Sequence, residues 1–260
     1  VFDTKQYRSK EKEKQRVRTI LQMATEAGCA DTPVETVLEA GCRDGHITRL
    51  LADRFPHITA LDLQLPEVDL PNVTCVQGDL TATGFASGAF DLVICTEVLE
   101  HIPEENLQKA CDELWRLSNK YLLIGVPYRQ DLRVHATKCL QCGAINPTTG
   151  HLHSFDLERL LTLFDNKAPV RIVFAGEGVY KTNRCSYALY KRFGFLYGSY
   201  EQEEPCIRCG ARLEKPQLPW FSRFMCLLAK GLEFLQNKTG PRDRSPVWIH
   251  LLWDTTTAET

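Results

Sequence analysis

The chain has 260 residues, with 31 Lys and Arg against 33 Asp and Glu and a formal net charge of -2. That length accommodates one α/β domain with an insertion, or a domain with a small satellite, around a sizeable core. The charge balance carries no general footprint for nucleic acid, no apolar run reaches membrane-spanning length, and no signal-peptide pattern opens the chain; the expectation is a cytoplasmic protein without a membrane partner.

Residues 3 to 30 have helical spacing, running from the charged stretch Lys5 to Arg18 into Ile20-Leu21-Met23-Ala24, with Gly28 as the stop. The alternating Lys10-Glu11-Lys12-Glu13-Lys14 reads as a solvated helix face. Thr36 to Thr48 follows: an apolar strand, Val37-Leu38, ends in Glu39 and passes through Gly41 and Gly45 into the amphipathic Ile47-Leu50-Leu51. A strand, a glycine turn and a helix make the half-unit that binds nucleotides in doubly wound sheets. Carboxylates beside the turn, Glu39 and Asp44, suit a cationic ligand better than a pyrophosphate, which calls for backbone amides from G-x-G-x-x-G.

Downstream, Ile58-Thr59-Ala60-Leu61-Asp62 reads as a second strand, its terminal acid 17 residues past Gly45. Val73 to Leu80 reads as a third strand ending in Gly78-Asp79, and Phe90 to Ile102 contains a fourth, whose unbroken row Leu92 to Cys95 suits burial on both faces. Val98-Leu99 is expected to open a helix. A helical stretch with Leu107, Leu114, Trp115 and Leu117 leads to a fifth strand, Tyr121 to Pro127, and this alternation implies a parallel sheet with right-handed crossovers.

Four landmarks in this order resemble the class I (Rossmann-like) S-adenosylmethionine-dependent methyltransferases. Their first motif, [D/E]-x-G-x-G-x-G, is matched by Glu39 to Gly45 with Arg43 where the middle glycine would stand; F-D-x-V followed by E-x-x-E-H is matched by Phe90 to His101. The resemblance implies an α/β, doubly wound, mostly parallel seven-stranded sheet with an antiparallel edge strand. It implies S-adenosylmethionine as cofactor, with Glu39, Gly41, Cys42, Gly45, Asp62, Leu63, Asp79, Leu80 and Thr96 as the residues that bind it. Asp62 would hold the ribose hydroxyls and Asp79 the adenine amino group. A leading helix would lie over the cofactor as a lid, with Tyr7 a candidate contact. Thr96-Glu97-Val98-Leu99 stands where enzymes acting on exocyclic base nitrogens carry [D/N]-P-P-[Y/F], which argues against that chemistry.

The 11 cysteines are an odd and high count. Cys29, Cys42, Cys75, Cys95, Cys111 and Cys226 stand singly among apolar neighbours and read as small buried thiols; Cys185 is also isolated. The remaining four form two C-x-x-C-G halves, Cys139/Cys142 and Cys206/Cys209, which are 67 residues apart. Together they supply the four soft ligands of a tetrahedral structural zinc site. A set of Cys139, Cys142 and a histidine is the competing metal reading. His101, His151 and His153 are the candidate bases for an acceptor proton, with His135 weaker.

The sheet is expected to resume at Val170 to Ala175, after a short helix from Leu157 to Phe164, and to close with Val247 to Trp253. Tyr187, Tyr190, Phe193, Phe195, Tyr197 and Tyr200 crowd the intervening stretch. Pro219 to Leu235 reads as an apolar helix whose residues belong in a core, over an acceptor pocket or against a second subunit. The domains read as a helical lid (1–30), a cofactor-binding core (31–128), zinc-binding and substrate-capping insertions (129–156 and 178–246), and the remaining core (157–177 and 247–254). The functional expectation is methyl transfer to O, N or C of a small or medium-sized acceptor, with a homodimer among the arrangements allowed. A macromolecule methyltransferase and a catalytically silent binding module are the rivals.

Overall fold

The structure, a computed structural model, describes residues 8–28, 33–133, 136–147, 149–178, 182–194, 200, 205–239 and 245–256. Tyr7, Cys29, His135, Phe195 and Tyr197 lie outside them. The chain divides into two compact units.

The larger unit spans 3–128, 155–176 and 246–260 and is built on a seven-stranded sheet. Its strands are β1 (Thr36–Ala40), β2 (His57–Asp62), β3 (Val73–Gln77), β4 (Phe90–Thr96), β5 (Ser118–Pro127), β8 (Arg171–Gly178) and β9 (Ser245–Asp254), in the order β3-β2-β1-β4-β5-β9-β8. β6 (Ala136–Lys138) and β7 (Ile145–Pro147) pair in the smaller unit. β1 to β5 run parallel, and β9 is antiparallel to β5. This is the mostly parallel seven-stranded sheet that the resemblance implied.

Successive side chains on the central strands point to opposite faces, and each face has its own helices. Leu38, Val93, Cys95, Leu122, Ile124, Ile249 and Leu251 turn to a core completed by α3 (Glu104–Leu117) and α4 (Leu157–Leu163). Val37, Leu92, Ile94, Leu123 and Leu252 turn to the other, completed by α1 (Glu11–Gly28) and α2 (His46–Ala52). Burial on both faces is why the strands read as continuous apolar runs.

Three local expectations change. Glu13 is 2% exposed and forms an ion pair with the also buried Arg16, so the charged stretch is not a wholly solvated face. Helical spacing alone did not show that α1 turns this pair inward. After β4 the chain makes only a single 3-10 turn, Leu99–His101, and Pro103 stands directly before α3. The single cysteines are not uniformly buried: Cys42, Cys95 and Cys111 are, whereas Cys75 and Cys226 are half-buried and Cys185 is exposed.

The smaller unit spans 129–154 and 177–245 and contains the β6–β7 hairpin, α5 (Arg184–Phe193) and α6 (Trp220–Thr239). Leu114, fully buried in the first core, tests the packing of the larger unit. Leu114→Ala is expected to lower its stability by about 3 kcal/mol through lost transfer energy and a residual cavity, read from the urea midpoint at unchanged slope.

Candidate functional site

Parallel register places the ends of β1, β2, β3 and β4 in one row: Ala40 lies beside Leu61 and Cys95, and Asp62 beside Gln77. In open α/β sheets, ligands bind outside this carboxyl edge. The sequence-predicted residues Glu39, Gly41, Cys42, Gly45, Asp62, Asp79 and Thr96 are all carried by these four strand ends or the turns that follow them. Leu63 is 68% exposed, just past Asp62, whereas Leu80 is buried in the first core.

The turn after β1 is held from both sides. Gly41 and Cys42 donate to the Leu61 carbonyl at 2.8 and 3.2 Å, and the Arg43 N–H donates to Asp62 Oδ2 at 2.7 Å. Gly41 and Gly45 have φ of 78° and 69°; a Cβ there would fall 2.2 Å from Val98 Cγ2 and 2.1 Å from Val68 Cγ2. No other residue fits either position. Arg43, where the family pattern has glycine, has φ 52°. A side chain is thus accommodated in the left-handed region, at a conformational cost of about 1–2 kcal/mol, and the turn is kept.

The acids around the turn differ in state. Glu39 is 5% exposed and accepts from Thr48 Oγ1, tying the strand end to the first turn of α2. Burial pushes its carboxyl up to about 7, against the opposing pull of the Thr48 hydroxyl and Arg16. Asp44 accepts from Arg8 Nη2 at 2.6 Å through both oxygens, and that guanidinium holds it below the usual carboxylate range despite partial burial. Asp79 is exposed and receives the Thr81 N–H and hydroxyl at 2.8 Å each, bonds that lower its carboxyl. Desolvation, with Glu39 and Asp62 nearby, raises the Cys42 thiol to about 12, so it remains neutral.

Beyond β4 lie two acids that the motif reading quoted without giving them a role. Glu97 has φ 60°, and its N–H donates to the Gly125 carbonyl at 2.9 Å. Its carboxyl is raised by burial, although Arg16 and a hydrogen bond from Trp248 oppose the shift. Glu100 is fully buried, and neither carboxyl oxygen has a hydrogen-bond partner among the described residues. Burial and the repulsion of Glu97 raise it well above the usual carboxylate value. His250 is also fully buried, and burial and Arg16 hold it down to about 3. In the sequence Glu97 and Glu100 show only as letters of the E-x-x-E-H pattern, with no local sign of their burial.

In the smaller unit the four C-x-x-C sulfurs converge, all within 4.8 Å of one another. Cys139 Sγ lies 3.6 Å from Cys209 Sγ, and Cys142 Sγ 3.6 Å from Cys206 Sγ. A tetrahedron of thiolates about 2.3 Å from one ion has edges of about 3.8 Å, so the set fits a tetrahedral metal. The two halves are built alike: Cys139 donates to Ala144 O and Cys206 to Ala211 O, both at 2.8 Å. N–H groups of Cys142 and Gln141 lower the Cys139 thiol; those of Arg208 and Cys209 lower Cys206 despite its burial. The buried Asn146 joins the halves by accepting from the Ile207 N–H at 2.9 Å. No histidine belongs to this four-sulfur group.

The candidate bases are dispersed by environment. His101 is exposed at the end of the 3-10 turn. In the smaller unit, His151 is half-buried with Nδ1 2.5 Å from Gln130 Oε1, and His153 is 7% exposed.

Comparison with known proteins bears on the larger unit. Residues 38–121 match the family described as "Methyltransferase domain". A trans-aconitate 2-methyltransferase of Deinococcus radiodurans is 29% identical over 135 residues, 48% of this chain and 49% of that protein. A ubiquinone biosynthesis O-methyltransferase of Chromobacterium violaceum is 31% identical over 91 residues, 30% of this chain and 38% of that protein. An uncharacterized methyltransferase of Mycobacterium tuberculosis is 27% identical over 128 residues, covering 45% and 64%. The chain thus spans less than two thirds of these relatives. A solved Bacillus halodurans protein, whose own methyltransferase assignment is provisional, shares the fold at a TM-score of 0.53 and 14% identity, over 92% of this chain and 98% of that one. Residues 38–121 are thus similar to a methyltransferase domain, and the chain shares the fold of that solved protein.

The raised Glu39 carboxyl has a measurable consequence. Its folded value of about 7 exceeds the ordinary 4.5, so the folded state binds more protons between those values. Stability is full below about pH 4.5 and falls as pH rises toward 7, by roughly 3 kcal/mol at about 1.4 kcal/mol per pH unit. Glu97 and Glu100 contribute in the same direction. Glu39→Gln is expected to flatten, without abolishing, the decline in denaturation midpoint between pH 5 and pH 8.

Proposed function

We propose that the chain is an S-adenosylmethionine-dependent methyltransferase that transfers the methyl group to O, N or C of a small or medium-sized acceptor. The observation that carries this reading is the glycine turn bonded to the Asp62 carboxylate at the carboxyl edge of the sheet, within the segment matched to the methyltransferase domain. Glu39, Gly41, Cys42, Gly45, Asp62, Leu63, Asp79, Leu80 and Thr96 are the proposed cofactor residues. Two of the relatives carry names of small-molecule methyltransferases, which supports an acceptor of that class.

The residues present suit the cofactor. Asp62 Oδ1 and Oδ2 are held by N–H groups of Gln64 and Arg43, which orient the carboxylate to accept the ribose hydroxyls. Asp79, oriented by Thr81, would accept from the adenine amino group. Gly41, with no Cβ, lets Val98 close against the turn and hold it in its left-handed course. When bound, the cofactor supplies an activated methyl group on a sulfonium. The protein's task is then to align an acceptor lone pair with that methyl group and exclude water, and orientation supplies most of the rate. A base is required only for a hydroxyl or acidic carbon acceptor; His101, His151 and His153 are the proposed candidates.

Cys139, Cys142, Cys206 and Cys209 are proposed to hold one structural zinc ion, supported by the 3.6 Å sulfur pairs and the N–H groups aimed at Cys139 and Cys206. All-thiolate coordination leaves no open position for substrate, so the metal's part is to fix the smaller unit, which would shape the acceptor pocket.

Calorimetry with S-adenosylmethionine and metal analysis test the two parts separately. The wild-type chain is expected to bind the cofactor, and Asp62→Ala to bind at least about tenfold more weakly through loss of charge-assisted hydrogen bonds. No heat from the wild type would favour the silent-module reading. Purified protein should contain zinc; Cys206→Ser should lose it and unfold at lower temperature. Metal-free wild-type protein of unchanged thermal stability would remove the zinc assignment.

A further inference from the structure

The apolar helix that the sequence assigned to a core, a pocket cap or a subunit contact is α6, and its apolar side is outside. Trp220 is 79% exposed, Leu227 70%, Phe234 62% and Leu235 56%, while Ala229 and Glu233 are the buried residues of the helix. At 3.6 residues per turn, Trp220, Phe224, Leu227, Leu228, Phe234 and Leu235 share one side. Ala229 and Glu233 lie on the opposite side, turned to α5. There the helices are fixed: Ser186 Oγ donates to the Ala229 carbonyl at 2.9 Å, and Asn183 Nδ2 to Gln236 Oε1 at 2.6 Å. The apolar stripe is therefore held outward by the hairpin.

The polar residues around the stripe are nearly all of one sign. α5 carries Arg184, Lys191 and Arg192, α6 carries Arg223, Lys230 and Lys238, and all six are exposed. Against them stands a single acid in the two helices, Glu233, which is 6% exposed. The bases are interleaved with the apolar surface. Arg192 lies over the Phe193 ring at 5.7 Å, Phe193 meets Phe221 edge-on at 5.8 Å, and Lys238 lies over Phe234 at 5.6 Å.

We propose that α6 lies in the surface of an anionic lipid bilayer, its Trp, Phe and Leu side chains in the acyl boundary and the bases of both helices on acidic headgroups. An outward stripe of Trp, Phe and Leu with Lys and Arg beside it is the pattern of a helix lying in a membrane interface. No helix among the described residues is long and apolar enough to cross a membrane, so the contact is with one leaflet. The expectation of no membrane partner rested on the lack of a spanning run, a requirement that an interfacial helix does not share. Charge selects this occupant over a second copy. A two-fold contact would set the same basic border against itself, whereas acidic headgroups neutralise it.

The test is co-sedimentation of the zinc-replete full chain with vesicles of phosphatidylcholine, with and without phosphatidylserine. Binding to the anionic vesicles is expected, weak with phosphatidylcholine alone and reduced by added salt. Phe224→Glu with Leu227→Glu should abolish it. Arg223→Gln with Lys230→Gln should reduce it about 25-fold, each lost base lowering partitioning about fivefold. All four positions are exposed, and circular dichroism checks the fold. In the wild type, brominated lipid should quench fluorescence that Trp220→Phe removes. The proposal is overturned if the wild type stays in solution with both vesicle types. It is equally overturned if the double Glu variant binds as before, or if the stripe instead supports a dimer or a protein complex without vesicle binding.

Discussion

One backbone amide links the local architecture of the candidate site. The Arg43 N–H, 2.7 Å from Asp62 Oδ2, joins the turn after β1 to the end of β2. Without that bond the turn would have an unsatisfied donor and the carboxylate no fixed direction. Around it the chain is tightly closed: Val98 and Val68 fill the space over Gly41 and Gly45, and Thr48 holds Glu39. The parallel register carries this order across the sheet edge, setting Asp62 beside Gln77 and Thr96 beside Gly125. A nucleoside-shaped ligand would meet a surface whose directional groups are already oriented, and preorganisation limits what binding must spend on ordering.

The two units solve their stability problems differently. The sheet unit has two apolar cores, one per face, and can tolerate a buried polar cluster of Glu13, Arg16, Glu97, Glu100 and His250 between elements. Ionised groups are expensive there, so burial raises the Glu100 carboxyl and lowers His250 to about 3. Among the described residues, the smaller unit has a slight buried apolar cluster, Cys139, Cys206 and Leu213, around the four sulfurs. A unit with so little core needs another cross-link, and four converging thiols provide the ligands for one. Most of the large apolar side chains of α6 are exposed rather than spent on internal packing.

Motif spacing was informative where chemistry constrains the backbone. Glu39 to Gly45 identified the turn because close approach and left-handed φ admit few residues, and the paired C-x-x-C-G halves identified the sulfur cluster because one ion requires four ligands. Arg43 shows where such a pattern misleads: its side chain departs from the family motif, yet its backbone adopts φ 52° and makes the bond the turn needs. Glu97 and Glu100 were visible as letters in E-x-x-E-H, but their burial depends on what Arg16 and Trp248, far away in sequence, pack against them.

The linear chain by itself determined the alternation of strands and helices, the glycine turn with its acids, and the set of four paired cysteines. Each of these rests on local periodicity or on the stereochemistry of a few adjacent residues. Tertiary structure alone decided that Glu13 is buried while Lys12 beside it is exposed, that Glu100 has no hydrogen-bond partner among the described residues, and that the apolar stripe of α6 faces solvent. Periodicity shows that a helix has two sides; which side is covered depends on what other segments bring to it, and for α6 that was settled by α5 packing on the small, polar side.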